Sequence, residues 1–134
     1  MGEDRNIPAA LAGADPLTAR IIGAAIQVHR ALGPGLLESA YQQCLRFELE
    51  AGGIAVATEV PIPLEYRGHR LDCGYRIDLL VEGTVVVEAK AVEKLAPIHE
   101  AQLLTYLRLA RKKTGLLLNF NSAYLRDGIK RMVL

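Results

Sequence analysis

The sequence contains no tryptophan, and only two cysteines, two phenylalanines and five tyrosines among 134 residues. So sparse a set of rings offers no evident platform on which a nucleic-acid strand would stack its bases. Cys44 and Cys73 lie far apart in apolar stretches, and neither belongs to a Cys-x-x-Cys pair. That excludes a disulfide scaffold and predicts two reduced, packed thiols. His29, His69 and His99 are the only histidines, so a zinc site lacks ligands at the needed spacing. No apolar run reaches the length of a membrane span. The first residues also lack the basic-then-apolar order of a signal peptide. A soluble, cytoplasmic protein with no membrane partner is the expectation. Charge of one sign is missing too: sixteen Lys and Arg oppose fifteen Asp and Glu, a formal charge of +1. Net charge therefore decides nothing about a nucleic-acid partner, and any basic patch has to be local.

What is present is a 51% hydrophobic, 23% charged chain, long enough for one domain with a core of its own. Residues 1–14 lack a sustained period and read as a flexible leader, with a single domain over 15–134. Asp15-Pro16 looks like an N-cap followed by proline at the first helical position, and Gly33-Pro34-Gly35 stops that helix near Leu32. A second helix is expected over about 36–51, ended by Gly52-Gly53. From Ile54 the period becomes two, through Val56, Thr58, Val60, Ile62, Leu64 and Tyr66, with Pro61 and Pro63 marking an edge strand or an irregular half. Turns at Arg67-Gly68-His69 and Glu82-Gly83 frame a strand in which Cys73, Tyr75, Ile77, Leu79 and Val81 point one way and Asp72, Arg76 and Asp78 the other. A β-branched strand over 85–90, a helix from Pro97 to about Lys113, an apolar strand over 116–120 and a last strand over 129–133 complete a mixed α/β (α+β) arrangement on a short sheet.

Charge inside the apolar strands is the anomaly. Asp78 lies within Ile77-Asp78-Leu79-Leu80-Val81; Glu88 and Lys90 lie within Val85-Val86-Val87-Glu88-Ala89-Lys90. Residues i and i+2 of a strand share a face, and an ionised group in a sheet core is costly unless paired or bound to a metal. Two explanations stand side by side. Lys90 pairs with Glu88 or Asp78 in a structural bridge, or Asp78 and Glu88 hold a divalent cation while Lys90 faces a substrate. Hard oxygen ligands of this kind suit Mg2+ or Mn2+.

Asp78 followed ten residues later by Glu88-Ala89-Lys90 resembles the motif of the PD-(D/E)XK nuclease superfamily. Gln102-Leu103-Leu104-Thr105-Tyr106 is similar to the Gln-x-x-x-Tyr motif of its RecB-like branch. Gly35, Glu38 and Tyr41 match the motif of the GxxExxY proteins, a small-domain family of that superfamily. The resemblance runs from about Pro16 to the C-terminus; Ile77 stands where the superfamily's name has proline. It implies a restriction-endonuclease-like core, short mixed sheet flanked by helices, and a metal-dependent nuclease acting on nucleic acid, with DNA favoured. Asp78, Glu88 and Lys90 would be catalytic, Gln102 and Tyr106 would support them, and Glu38 would join Asp78 and Glu88 at the metal. The alternative, from another class, is a nuclease-fold protein without turnover that binds nucleic acid or serves as a scaffold. A homodimer or a partner protein is one way for so small a domain to grip a polymer.

Each flanking feature also has a plain reading. Glu38 in a first helical turn is favoured by the helix dipole, and Tyr41 at helical spacing suits the core. His99 is placed on the face of Gln102 and Tyr106, whereas His29 and His69 suit capping or solvated positions. Arg108, Arg111, Lys112 and Lys113, with Lys130 and Arg131, fit phosphate contact, but a basic last turn also complements the helix dipole.

Register makes the metal hypothesis specific. A two-residue turn at Glu82-Gly83 would pair Val81 with Thr84 and put Asp78 and Glu88 on opposite faces. A three-residue loop, or a bulge with the same effect, pairs Val81 with Val85 and brings Asp78 opposite Glu88.

Overall fold

A computed structural model describes residues 15–134; the leader expected over 1–14 lies outside the described residues. Helix α1 (Pro16–Leu32) starts at Asp15, whose carboxylate accepts from Leu17 N at 3.0 Å and Thr18 Oγ1 at 2.8 Å. It ends at Gly33, φ 68°, and α2 (Glu38–Ala51) follows after a short turn. Strand β1 (Val56–Pro61) is followed by the hairpin of β2 (Leu64–Tyr66) and β3 (His69–Leu71). The expected strand from Ile54 to Tyr66 is thus two strands. Pro63 supplies no amide hydrogen and interrupts the ladder between them. Strands β4 (Arg76–Val81) and β5 (Val85–Lys90) form the central hairpin, helix α3 (Pro97–Ala110) crosses over, and β6 (Thr114–Asn119) and β7 (Ile129–Val133) end the chain.

The five-stranded sheet has the order β1-β4-β5-β6-β7, with β5 and β6 parallel and the other pairs antiparallel. This is the mixed sheet expected, with β1 on the edge where its terminal Pro61 is tolerated. One face packs against α1 and α2 through Ile21, Ile22, Ile26, Tyr41 and Leu45, meeting Leu79, Val81, Val87 and Leu116. The other packs against α3 through Leu103, Tyr106 and Leu107, meeting Val86 and Leu117. Gly115 on β6 lies beneath α3 so closely that an added Cβ would stand 2.9 Å from Leu103 Cδ1. Among the described residues no helix is long and apolar enough to cross a membrane.

Several local expectations are corrected. Helix α3 stops at Ala110 rather than Lys113, because Arg111 adopts a left-handed backbone (φ 57°, ψ 45°). Cys73 is exposed in the β3–β4 connection and only Cys44 is partly packed. His29 is buried, its Nε2 2.8 Å from the carbonyl oxygen of Ser122. Ile77 leaves the face of Leu79 and Val81 and packs with Ile62 and the α3-side cluster. The cause lies beside it: Glu59, between the pairs Thr58↔Leu79 and Val60↔Ile77, has φ 51°, so the edge pairing is distorted next to Asp78 and strict alternation fails there.

Candidate active site

The β4–β5 hairpin has the register that a three-residue loop requires: Val81 pairs with Val85 and Leu79 with Val87. Glu82 and Gly83 both take left-handed backbones (φ 52° and 66°), and Thr84 N closes the turn on Val81 O at 3.0 Å. One step further along, Asp78 stands opposite Glu88. There the regular ladder ends and side chains replace it. Asp78 N donates to Glu88 Oε2 at 2.9 Å, and Ala89 N donates to Asp78 Oδ2 at 3.1 Å.

Burial makes this pair electrostatically unstable. Glu88 is 4% exposed; loss of hydration, then the nearby Asp78 charge, push its carboxyl up to about 8. Desolvation likewise raises Asp78 to about 6, against the lowering influence of the Ala89 amide and Lys90. The charges of Glu59 and Glu38 add to the rise. Neither Glu59 nor its left-handed backbone was visible as a site feature in the sequence, where it is one polar residue of an alternating strand.

Lys90, on the same strand face as Glu88, points to α3: its Nζ donates to Gln102 Oε1 at 3.3 Å. Gln102 Nε2 in turn donates to the Tyr106 hydroxyl at 3.3 Å. Residues i and i+4 of a helix are neighbours, so one turn of α3 lays both side chains along the sheet. Tyr106 is 7% exposed, and burial first, then the Glu88 and Asp78 charges, push its phenol up. Its ring meets that of Tyr75 edge-on, centroids 6.1 Å apart. Two rings from distant positions in the chain thus meet, Tyr106 buried and Tyr75 the exposed member.

Glu38 arrives from the opposite layer. Its Oε2 accepts from Ala91 N at 3.2 Å, just past the end of β5. Tyr41 steadies the approach: its hydroxyl donates to Gly33 O at 2.6 Å and accepts from Leu36 N at 3.1 Å, while its ring stacks on Phe120 at 4.5 Å. Among the described residues no group of three or more His, Cys, Asp or Glu is gathered as a ready metal cage; the structure brings Asp78 and Glu88 together, with Glu38 bound to the neighbouring backbone. The pair nevertheless suits a divalent cation, since two carboxylates raised by burial, with Glu88 raised further by the Asp78 charge, are relieved by positive charge.

His99 serves α3 instead of the site, its Nδ1 accepting from Ala96 N at 2.9 Å. Asn119 was missed by the sequence reading. It is buried at the end of β6 beside Lys90, its Oδ1 accepting from Val92 N and Asn121 N and its Nδ2 donating to Val92 O. A lone asparagine closing an apolar run was the available signal.

A mixed sheet between two helical layers, with Asp78 facing Glu-x-Lys across a hairpin, defines the class of nuclease-like α/β folds. The family model of the PD-(D/E)XK nuclease superfamily matches residues 15–132, and the chain belongs to that superfamily. Its members are mostly nucleases. No curated protein and no solved structure matches the chain.

Proposed function

We propose that this domain is a divalent-metal-dependent phosphodiester hydrolase acting on nucleic acid, DNA being the favoured substrate. The observation that carries the proposal is the apposition of Asp78 and Glu88, both raised by burial, beside a lysine held on the same side. Asp78 and Glu88 would hold Mg2+ or Mn2+, with Glu38 as a further carboxylate near Asp78. Such an ion, when bound, supplies Lewis acidity toward water and the scissile phosphate. Lys90 places a positive charge where negative charge develops on the phosphate. Gln102 holds Lys90 Nζ through its amide oxygen and orients Tyr106 through its amide nitrogen, so the lysine is preorganised. The spacing of Gly35, Glu38 and Tyr41, and of Gln102 and Tyr106, supports a place among the RecB-like GxxExxY proteins.

A second reading has its own observation. Both carboxylates already accept backbone amides where the β4–β5 ladder ends, which suits a domain that retains the fold as a nucleic-acid-binding or scaffold protein. Labelled DNA and RNA panels incubated with Mn2+ decide between them. The proposal expects divalent-dependent cleavage that Asp78→Asn and Glu88→Gln abolish with unchanged circular dichroism. No cleavage, together with no calorimetric binding of Mg2+ or Mn2+ at millimolar concentration with or without DNA, would establish the scaffold reading.

A further inference from the structure

A pocket of about 360 Å3 adjoins the Lys90–Gln102–Tyr106 chain. Gln102 and Tyr106 belong to both; Thr105 adds a further hydroxyl, and Leu64, Tyr75, Ile98 and Leu109 make most of the remaining wall apolar. Tyr75 is 43% exposed, yet its backbone is fixed. Its carbonyl accepts from Ile62 N at 2.9 Å and from Arg76 Nη1 at 2.9 Å, and Gly74 before it has φ 82°. The edge contact with Tyr106 restrains the ring. Leu109 also lines a second cavity, of about 580 Å3, where Arg70, Arg108, Arg111 and Lys112 face a single acidic residue, Glu65. None of these four cations forms an ion pair among the described residues.

Carboxylates and lysine on one side, a basic cleft on the other and an aromatic pocket between them match two successive phosphates and the base that branches from the sugar joining them. In a duplex the faces of a base are covered by its stacking neighbours and its edge by its pairing partner, so a concave aromatic pocket is closed to it. An unpaired base presents a free face, which every nucleobase has, and an aromatic ring binds it without reading sequence. The geometry points to a base-binding subsite at Tyr75: one unpaired base of the substrate strand enters this pocket, the adjoining backbone runs over Arg108 and Arg111, and single-stranded nucleic acid is the form recognised. This rests on the reading of the domain as a nucleic-acid hydrolase and names the substrate form for the same site.

The test measures binding apart from cleavage. A DNA oligonucleotide carrying 2-aminopurine is titrated with the full chain in chelator, as a single strand and as a duplex. The single strand is expected to bind at least tenfold more tightly, with its 2-aminopurine emission altered by contact with the ring. Tyr75→Ala is expected to lose about tenfold in single-strand affinity and the emission change, while Tyr75→Phe restores both. Arg108→Ala with Arg111→Ala should flatten the salt dependence without removing the emission change. Equal affinity for both forms, or Tyr75→Ala binding like the parent, overturns the subsite while leaving divalent-dependent cleavage to stand on its own assay. Tyr75-dependent single-strand binding in chelator, with neither cleavage nor metal binding in the separate Mn2+ assays, upholds the subsite and removes the hydrolase reading instead. No binding of either form overturns the subsite.

Discussion

Asp78 and Glu88 exchange their side chains for each other's backbone: the Glu88 carboxylate accepts the amide of Asp78, and the Asp78 carboxylate accepts the amide that follows Glu88. Two acidic groups are thereby anchored face to face where the β4–β5 ladder ends. Hydrogen bonds to the charged forms only partly offset the loss of hydration, which is why both groups remain raised.

This relationship sets the pH dependence of metal-free stability. Asp78 rises from 3.8 to about 6 and Glu88 from 4.5 to about 8 on folding, so the folded chain binds more protons than the unfolded one between those limits. Their contribution to stability is full below the unfolded values and is lost as pH rises through 6 and then 8. Urea unfolding in chelator is expected to show a lower midpoint at the alkaline end of that window than at the acid end. Glu88→Gln should flatten the difference, and Mn2+ should raise the midpoint most at the alkaline end. A midpoint that climbs with pH in chelator would contradict the raised pair.

Neutralising one partner should relieve the repulsion. Asp78→Asn keeps an oxygen able to accept from Ala89 N, so its thermal midpoint without metal is expected to equal or exceed that of the parent. Asp78→Asn, Glu88→Gln and Lys90→Ala should each abolish divalent-dependent cleavage. Calorimetry showing a clearly lower midpoint for Asp78→Asn would mark Asp78 as one half of a structural ion pair.

Gln102 connects a lysine to a tyrosine without being charged itself. Gln102→Ala is expected to lower cleavage at least tenfold through loss of Lys90 placement while changing unfolding free energy by less than about 1 kcal/mol. A variant that circular dichroism shows to be substantially unfolded would make Gln102 a structural residue.

Tyr41→Phe removes one hydroxyl and keeps the stack on Phe120. Gly33 O and Leu36 N lose their shared partner, and the expected cost is about 1–2 kcal/mol in urea unfolding. Cleavage should fall as well, because the turn that delivers Glu38 is loosened. An unchanged unfolding free energy would show that water satisfies both groups.

The legible parts of this molecule were those fixed by local chemistry or by strict alternation. Asp15-Pro16 announces a helix start because cap and first turn are adjacent in the chain. The three-residue loop could be read because one residue of slip would turn Asp78 away from Glu88. Helix α3 was over-extended because Arg111, Lys112 and Lys113 carry no helix-stopping signal, while the observed stop is a left-handed residue chosen by how the chain re-enters β6. The meeting of Tyr75 with Tyr106, and the approach of Glu38 to Ala91, depend on how two helical layers stand on one sheet. No periodicity encodes that. Ile77 was misplaced for a related reason: the period of two assumes a regular strand, and Glu59 makes the neighbouring edge irregular.

At Gly115 a hydrogen occupies the place of a methyl group beneath Leu103, the residue that follows Gln102 on α3. The standoff between helix and sheet is therefore gauged by the smallest side chain available. A methyl there would have to displace Leu103, which is wholly buried, or lift the helix. Lifting it by even part of a bond length would stretch the 3.3 Å reach from Lys90 to Gln102. The reach of a polar contact beside the two carboxylates is thus tuned by an uncharged shim under the very next residue of the helix, within the apolar cluster that Leu103 shares with Val86 and Leu117.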